Sequence, residues 1–292
     1  MFLTADSGAT KTEWCLVDNN KIIRSFTTAG YNPFFVKSDF IIRDVTDTIK
    51  NMANTGNIDL VFFYGAGCSS PERCNIVYEG LKEVFSNAVI TVDTDLAAVA
   101  RALFPGDEGI AVILGTGSNS CYCKNGCIQR KFNSLGYVLV DEGSGNHFGR
   151  KLIKAYLEDR LPVNLQRIFA DTFQYTVSEI LDKIYRNPMP NKFLASFSIF
   201  IKKNISDDFC RNIVLESFNE FFDNTIYRYP GYESSIIRCS GSIAWNFMEE
   251  LKRVAEKKNI NIGKIIASPI KELTLYHIKV LNQQRNRIIE NR

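Results

Sequence analysis

The 292-residue chain contains no stretch of eighteen apolar residues, so it offers no candidate for a membrane-spanning helix. Histidine is scarce: the two residues, His147 and His277, are far apart. No C-x-x-C pair occurs, so the usual spacing of a zinc site is missing. Of the eight cysteines, Cys121, Cys123 and Cys127 are closely spaced, but no histidine lies near them in sequence. They read as thiols in strand-like runs of a reduced, cytoplasmic protein, not as a secreted disulfide framework. Residues Met1 to Ala5 run straight into Asp6, far short of a secretory apolar segment, so no leader is expected. No dense Lys/Arg run interleaves with aromatics, and 35 basic residues face 32 acidic ones. Nucleic acid and membrane partners are therefore not expected. There is no G-x-G-x-x-G, and no glycine-rich loop ends in G-K-[ST].

What is present is an ordinary globular composition, 45% hydrophobic and 23% charged, long enough for two domains. Phe2–Ala5, Glu13–Val17 and Ile22–Phe26 read as a three-stranded antiparallel meander broken by Asp6–Lys11 and Asn19-Asn20. Ser38 is a candidate cap for a helix over 39–53, with Phe40, Ile41, Val45, Ile49 and Met52 at helical spacing. Leu60–Tyr64 is wholly apolar, as in a buried parallel strand. Ser70-Pro71 opens the next helix, Val89–Val92 is a strand, and Leu96–Leu103 is a helix ending before Pro105-Gly106.

The pattern then restarts. Ile110–Leu114 and Cys121–Cys123 are strands around a small-residue turn, and Lys124-Asn125-Gly126 is a hairpin turn. Residues 150–228 have helical periodicity, and a helix is expected over 246–257. Strands at 236–237 and 265–266 precede a last helix from Ile270. The expectation is an α/β protein of two lobes: residues 1–105, joined by the C-terminal helix at about 270–292, and residues 106–269, with a helical insertion in the second.

Five motifs carry candidate chemistry. In Asp6-Ser7-Gly8-Ala9-Thr10-Lys11-Thr12, small residues let backbone amides approach phosphate oxygens. Thr10, Thr12 and Lys11 add donors there, and Asp6 could hold Mg²⁺ directly or through water. A polar hairpin turn would look the same. Gly115-Thr116-Gly117-Ser118-Asn119-Ser120 repeats that strand–turn–strand setting, and a tight hairpin is again the alternative. Asp93-Thr94-Asp95 places two acids where a strand meets a helix, the position at which open α/β sheets bind ligands. One of them could take a proton from a sugar hydroxyl; a helix cap explains one acid well and two less well. Val140-Asp141-Glu142-Gly143-Ser144-Gly145, read between a strand and a helix, combines carboxylates with glycines that permit close approach, or is another cap. Cys239-Ser240-Gly241-Ser242 could form a flat shelf for adenosine, or an ordinary βα turn.

Taken in order, these motifs resemble the sugar kinase/actin/heat-shock ATPase superfamily. D-S-G-A-T-K-T-E-W, V-D-T-D-L-A-A-V-A-R-A-L, I-L-G-T-G-S-N-S, V-D-E-G-S-G and C-S-G-S-I-A resemble the N-acetylglucosamine kinases and the related BadF/BadG/BcrA/BcrD-type ATPases. Asn32 in Gly30-Tyr31-Asn32-Pro33 matches a sugar-contacting asparagine of those kinases. The resemblance spans essentially the whole chain. It implies two ribonuclease-H-like lobes, each with a mixed five-stranded sheet, an active-site cleft between them, and ATP and Mg²⁺ as cofactors. It implies Asp95 as catalytic base and Asn32, Gly67, Asp95, Thr116, Gly117 and Asp141 as sugar-binding residues. Gly8, Thr10, Lys11, Gly115, Thr116, Gly117, Ser118, Gly241 and Ser242 would bind ATP, and Asp6 would support the metal. The family often has a serine in the Gly65-Ala66-Gly67 region, where this chain has only backbone donors.

The implied reaction is phosphorylation of an amino sugar, N-acetylglucosamine to its 6-phosphate, with N-acetylmuramic acid and glucosamine as alternative substrates. An ATPase that activates a partner enzyme through a shared iron–sulfur cluster, and a non-catalytic sugar sensor, are the competing classes. A homodimer through the helical region is compatible with all three.

Overall fold

A computed structural model describes residues 1–50 and 58–290. The expected extension of the first helix to Ala53, with Met52 in its apolar stripe, lies outside the described residues, as do the last two residues of the C-terminal helix as expected. Two compact units result: residues 1–107, 123–128 and 268–292 form the first, and residues 108–122 and 129–267 the second.

The strands of the first sheet are β1 (Phe2–Ser7), β2 (Lys11–Asp18), β3 (Lys21–Ala29), β4 (Leu60–Gly65) and β5 (Val89–Thr94), in the order β3-β2-β1-β4-β5. β1 is antiparallel to β2 and parallel to β4, and β4 is parallel to β5. Helices α1 (Ser38–Lys50) and α2 (Pro71–Val84) contribute Ile41, Val45, Val77 and Leu81 to a core with Leu3, Ala5, Trp14, Val61 and Phe63. Tyr64 packs instead with Ala97, Ala98 and Ala102 of α3 (Asp95–Leu103) and Leu273 of the C-terminal helix (Ile270–Glu290). Alternation along β4 therefore turns Phe63 and Tyr64 toward different helical layers.

The second sheet contains β6 (Glu108–Leu114), β7 (Ser118–Lys124), β8 (Cys127–Lys131), β9 (Ile236–Ser240) and β10 (Asn261–Ile266), in the order β10-β9-β6-β7-β8. β9 is parallel to both β6 and β10. The turns joining β6, β7 and β8 are short enough for antiparallel neighbours only. Counted from its own first strand, each sheet has the order third, second, first, fourth, fifth. The repeat suggested by the two small-residue turns is thus a repeat of topology.

Between β8 and β9 lie α4 (Gly145–Leu157), α5 (Val163–Phe173), α6 (Val177–Tyr185), α7 (Pro190–Ser196), α8 (Ser198–Lys203) and α9 (Asp208–Asn224). α10 (Ser242–Asn246) and α11 (Met248–Lys257) follow β9, and the C-terminal helix is α12. Phe148, Leu152, Phe169, Phe197, Phe218 and Phe222 build the second core with Ile110, Val112 and Ile237. Among the described residues, no helix is long and apolar enough to cross a membrane.

Several boundaries differ from the sequence expectation. Ser38 does not cap α1; its hydroxyl donates to the Ile76 carbonyl at 2.7 Å and ties α1 to α2. The periodic run 169–184 is two helices, because Gln174 is left-handed (φ 50) and Thr176 with Glu179 forms a capping box that restarts α6. The helix expected over 246–257 breaks at Phe247, whose φ/ψ of −117/32 separates α10 from α11. No strand precedes Asp141: Val138 and Leu139 are 67% and 70% exposed in a turn, so their apolar character does not reflect a place in the sheet.

Candidate functional site

In the first unit the candidate residues collect at the carboxyl ends of β1, β4 and β5. The register aligns Asp6 with Tyr64 and Asp93, and Ser7 with Gly65 and Thr94. β1 and β2 are joined by Gly8–Lys11, where the Gly8 amide donates to the Lys11 carbonyl at 3.0 Å. Among the described residues the Ala9 and Thr10 amides have no hydrogen-bond partner, which suits a turn that receives an anion.

The turn is anchored by a chain of hydroxyls. The Tyr31 amide donates to Ser7 Oγ at 2.9 Å, Ser7 Oγ lies 2.7 Å from Thr12 Oγ1, and Thr12 Oγ1 donates to the Ala29 carbonyl at 2.7 Å. Thr12, expected as a phosphate donor, is buried and committed to that chain. Lys11 is exposed and pairs with Glu13 at 2.6 Å; Glu13 also accepts from Ser268. Burial of Glu13 works against ionisation, but the bonds from Lys11 and Ser268 outweigh it and hold the carboxyl below its ordinary value.

Asp6 behaves oppositely. Burial, then the nearby charges of Asp95 and Glu13, push it up to about 8 against the pull of Lys11. A carboxylate crowded by carboxylates is where a divalent cation relieves most repulsion. Among the described residues, no three His, Cys, Asp or Glu side chains are grouped to hold a metal alone. That donor set fits Mg²⁺ of the kind bound by nucleotide phosphates and water, with one or two carboxylates in support.

At the β5–α3 junction the two acids have different surroundings. Asp93 Oδ1 accepts the Thr94 amide at 2.8 Å, and its Oδ2 accepts Arg101 Nη1 at 3.0 Å. Arg101 also donates to Tyr64 Oη at 2.6 Å, and Tyr64 Oη lies 2.8 Å from His277 Nε2. Burial, with Arg101 nearby, pushes His277 down to about 3, so it is neutral. Thr94 caps α3 through the Ala97 amide at 3.1 Å, and Asp95 Oδ1 accepts the Leu96 amide at 2.8 Å.

Asn32 and Gly67, expected as sugar contacts, are brought together. Asn32 Oδ1 accepts the Phe34 amide at 3.0 Å. Gly67 has φ +85, and a Cβ there would overlap Asn32 Oδ1 and lie 2.9 Å from Asn32 Cγ, so a side chain at this position would displace Asn32 and strain the backbone.

In the second unit, Gly115–Ser118 lies against the start of α4. The Gly145 amide donates to the Gly115 carbonyl at 2.9 Å, and the Asn146 amide to Thr116 at 3.1 Å. Two amides of the turn are occupied: Gly115 donates to Gly117 at 3.0 Å, and Ser118 to Asp141 Oδ1 at 3.3 Å. Among the described residues the Thr116 and Gly117 amides have no partner, the same open pair as in the first turn. Asp141 is 7% exposed at φ +77, its carboxylate against the Gly117 Cα. Burial raises its pKa, with the Asn146 and Ser118 bonds opposing. Gly241 has φ +123 and packs on the Leu114 carbonyl, which sets Gly241-Ser242 beside the second turn. Asn146, Arg101, Glu13 and Ser268 were not singled out in the sequence. Asp93 lies on β5 and Arg101 in the last turn of α3, so helical spacing alone does not bring the two together.

A scan of protein-family models and a search of curated proteins gave no match. Among solved structures, the chain is similar to one from Porphyromonas gingivalis described as a candidate N-acetylglucosamine kinase. That likeness has 36% identity over 96% of this chain and 99% of the other, with a TM-score of 0.89. A candidate N-acetylglucosamine kinase from Chromobacterium violaceum matches at 16% identity over 94% and 98%, with a TM-score of 0.69. A ROK-family glucokinase from Streptomyces griseus, solved with glucose and AMPPNP, matches at 12% identity over 97% and 99%, with a TM-score of 0.59. The last two share the fold.

Proposed function

Because the chain belongs to the N-acetylglucosamine kinase-type family of the sugar kinase/actin superfamily, we propose that it transfers the γ-phosphoryl group of ATP to an N-acetylated amino sugar, N-acetylglucosamine, at the 6-hydroxyl. The observation that carries the reading is the 36% identity spread over nearly all of both chains.

The site geometry supports it. The open amides of Ala9 and Thr10, and of Thr116 and Gly117, receive phosphate oxygens, with Lys11 adding positive charge. Gly241-Ser242 lies against adenosine. Asn32, the Gly67 backbone, Thr116, Gly117 and Asp141 hold the sugar. Asp95 accepts the proton of the 6-hydroxyl as that oxygen bonds to the γ-phosphorus and the bond to ADP breaks. Mg²⁺ would neutralise phosphate charge, and Asp6 is the residue that would hold it, directly or through water.

The direct test is to incubate the purified chain with Mg·ATP and N-acetylglucosamine and locate the product phosphate by phosphorus–proton NMR. Coupling to the C6 protons is expected. Coupling to the anomeric proton overturns the choice of hydroxyl, and no sugar phosphate from any amino sugar overturns the kinase reading.

A further inference from the structure

We propose that Asn146 is a positioning residue for the sugar-binding acid: its side-chain amide fixes the Asp141 carboxylate against the second glycine-rich turn. The inference rests on the reading of Asp141 as a sugar-binding residue.

Asp141 needs such a restraint. It is a non-glycine residue in the left-handed region (φ +77), with little exposure. Strain of this kind persists only where surrounding bonds over-determine the conformation. The Ser144 hydroxyl and amide hold its carbonyl at 2.6 and 3.2 Å. Those bonds fix the backbone. The carboxylate has two further donors, the Ser118 amide to Oδ1 at 3.3 Å and Asn146 Nδ2 to Oδ2 at 2.9 Å. The shorter is the asparagine.

Asn146 Nδ2 also donates to the Thr116 carbonyl at 2.7 Å, so both of its hydrogens are used. One amide group thereby links the acid to the turn expected to approach sugar and phosphate. The orientation of the amide is unambiguous, because a flip would set Oδ1 against two acceptors.

The other end of the amide has no comparable use. Asn146 is 1% exposed, and among the described residues its Oδ1 is buried without a hydrogen-bond partner. A buried unsatisfied carbonyl is uncommon and unfavourable. An apolar side chain would fill the same space without that penalty. The backbone bonds from Gly145 and Asn146 to the turn need no asparagine side chain. What the side chain uniquely contributes is the donor pair, and it is retained at the expense of an orphaned oxygen.

Removing the donors has a directional consequence. Burial already raises the Asp141 pKa, and the Asn146 bond is the largest opposing effect. The charged groups facing the carboxylate are Glu142, which raises it further, and Arg150, which lowers it. Without Asn146 the carboxyl holds its proton to higher pH and loses its fixed orientation.

The test compares wild type, Asn146→Ala and Asn146→Asp in steady-state assays with N-acetylglucosamine and ATP over a range of pH, alongside thermal melts. Loss of a hydrogen bond to a charged group is expected to raise the sugar KM about tenfold or more. The acidic limb of kcat/KM for the sugar moves to higher pH, further for Asn146→Asp, while the ATP KM and the Asn146→Ala melting temperature stay close to wild type. The inference is overturned if the sugar KM and acidic limb are unchanged in both variants. It is also overturned if sugar and ATP KM rise together with a falling melting temperature, or if neither variant folds. A wild-type protein that phosphorylates no amino sugar instead overturns the function on which it rests.

Discussion

Arg101 Nη1 donates to the Asp93 carboxylate at 3.0 Å, which sets Asp93 apart from Asp95 two residues later. Asp93 is held in a network running through Arg101 and Tyr64 to His277 on α12. Asp95 stands on the first turn of α3, close enough to Asp6 for the two charges to interact. The pair therefore separates into an acid bound to Arg101 and an acid on the first turn of α3, for which the base role is proposed.

From that separation, Asp95→Asn loses about 10²–10⁴-fold in kcat with little change in nucleotide binding. Asp93→Asn leaves Arg101 without its carboxylate and costs about 1–3 kcal/mol of stability, with a smaller loss of kcat. Turnover assays and thermal melts of both variants check this. Full activity in Asp95→Asn would assign the base role elsewhere.

Asp6 links the site to pH. Its folded value, about 8, lies above its ordinary 3.8, so folding favours the protonated form. Its contribution to stability is full below about pH 3.8 and is lost as the pH rises toward about 8. The metal-free protein should therefore lose thermal stability across that window, and Asp6→Asn should lose less. Binding of Mg·ATP near neutral pH should release a proton from wild type and not from Asp6→Asn. Calorimetry in buffers of different ionisation enthalpy measures that release. Identical pH profiles for the two proteins would contradict the assignment.

Gly67→Ala places a Cβ on Asn32 Oδ1 at a backbone conformation that disfavours side chains. A stability loss of about 1–3 kcal/mol follows from the strain. Because the displaced group is Asn32, the sugar KM should rise more than the ATP KM. Equal changes in the two constants would show that Asn32 and Gly67 act only in the fold.

Asp6, Asp95 and the two turns were readable as candidates because small residues and carboxylates around strand ends are a local pattern, whereas Asp141 follows a turn and was read only from its own glycine-containing motif. The division of labour within them was not. Thr12 reads as a phosphate donor until β3 supplies the Ala29 carbonyl that takes its hydroxyl. Asp93 and Asp95 look alike until α3 returns Arg101 to one of them. Asn146 gave no signal, since a polar residue in the first turn of a helix is ordinarily exposed. A strand was expected before the Val140–Gly145 motif, but Val138 and Leu139 there are apolar and exposed, a pattern that periodicity cannot distinguish from burial. The shared strand order of the two sheets was visible only as two similar turns, because matching topology does not require matching residues.

Use of ATP by this chain to phosphorylate an amino sugar is tested most directly by the initial rate of ADP formation by purified wild type with and without N-acetylglucosamine. ADP release should depend on the sugar, equal the sugar phosphate formed, and fall about 10²–10⁴-fold in Asp95→Asn. Sugar-independent ATP hydrolysis at the same rate, unaltered in Asp95→Asn, would contradict it and favour an ATPase that activates a partner.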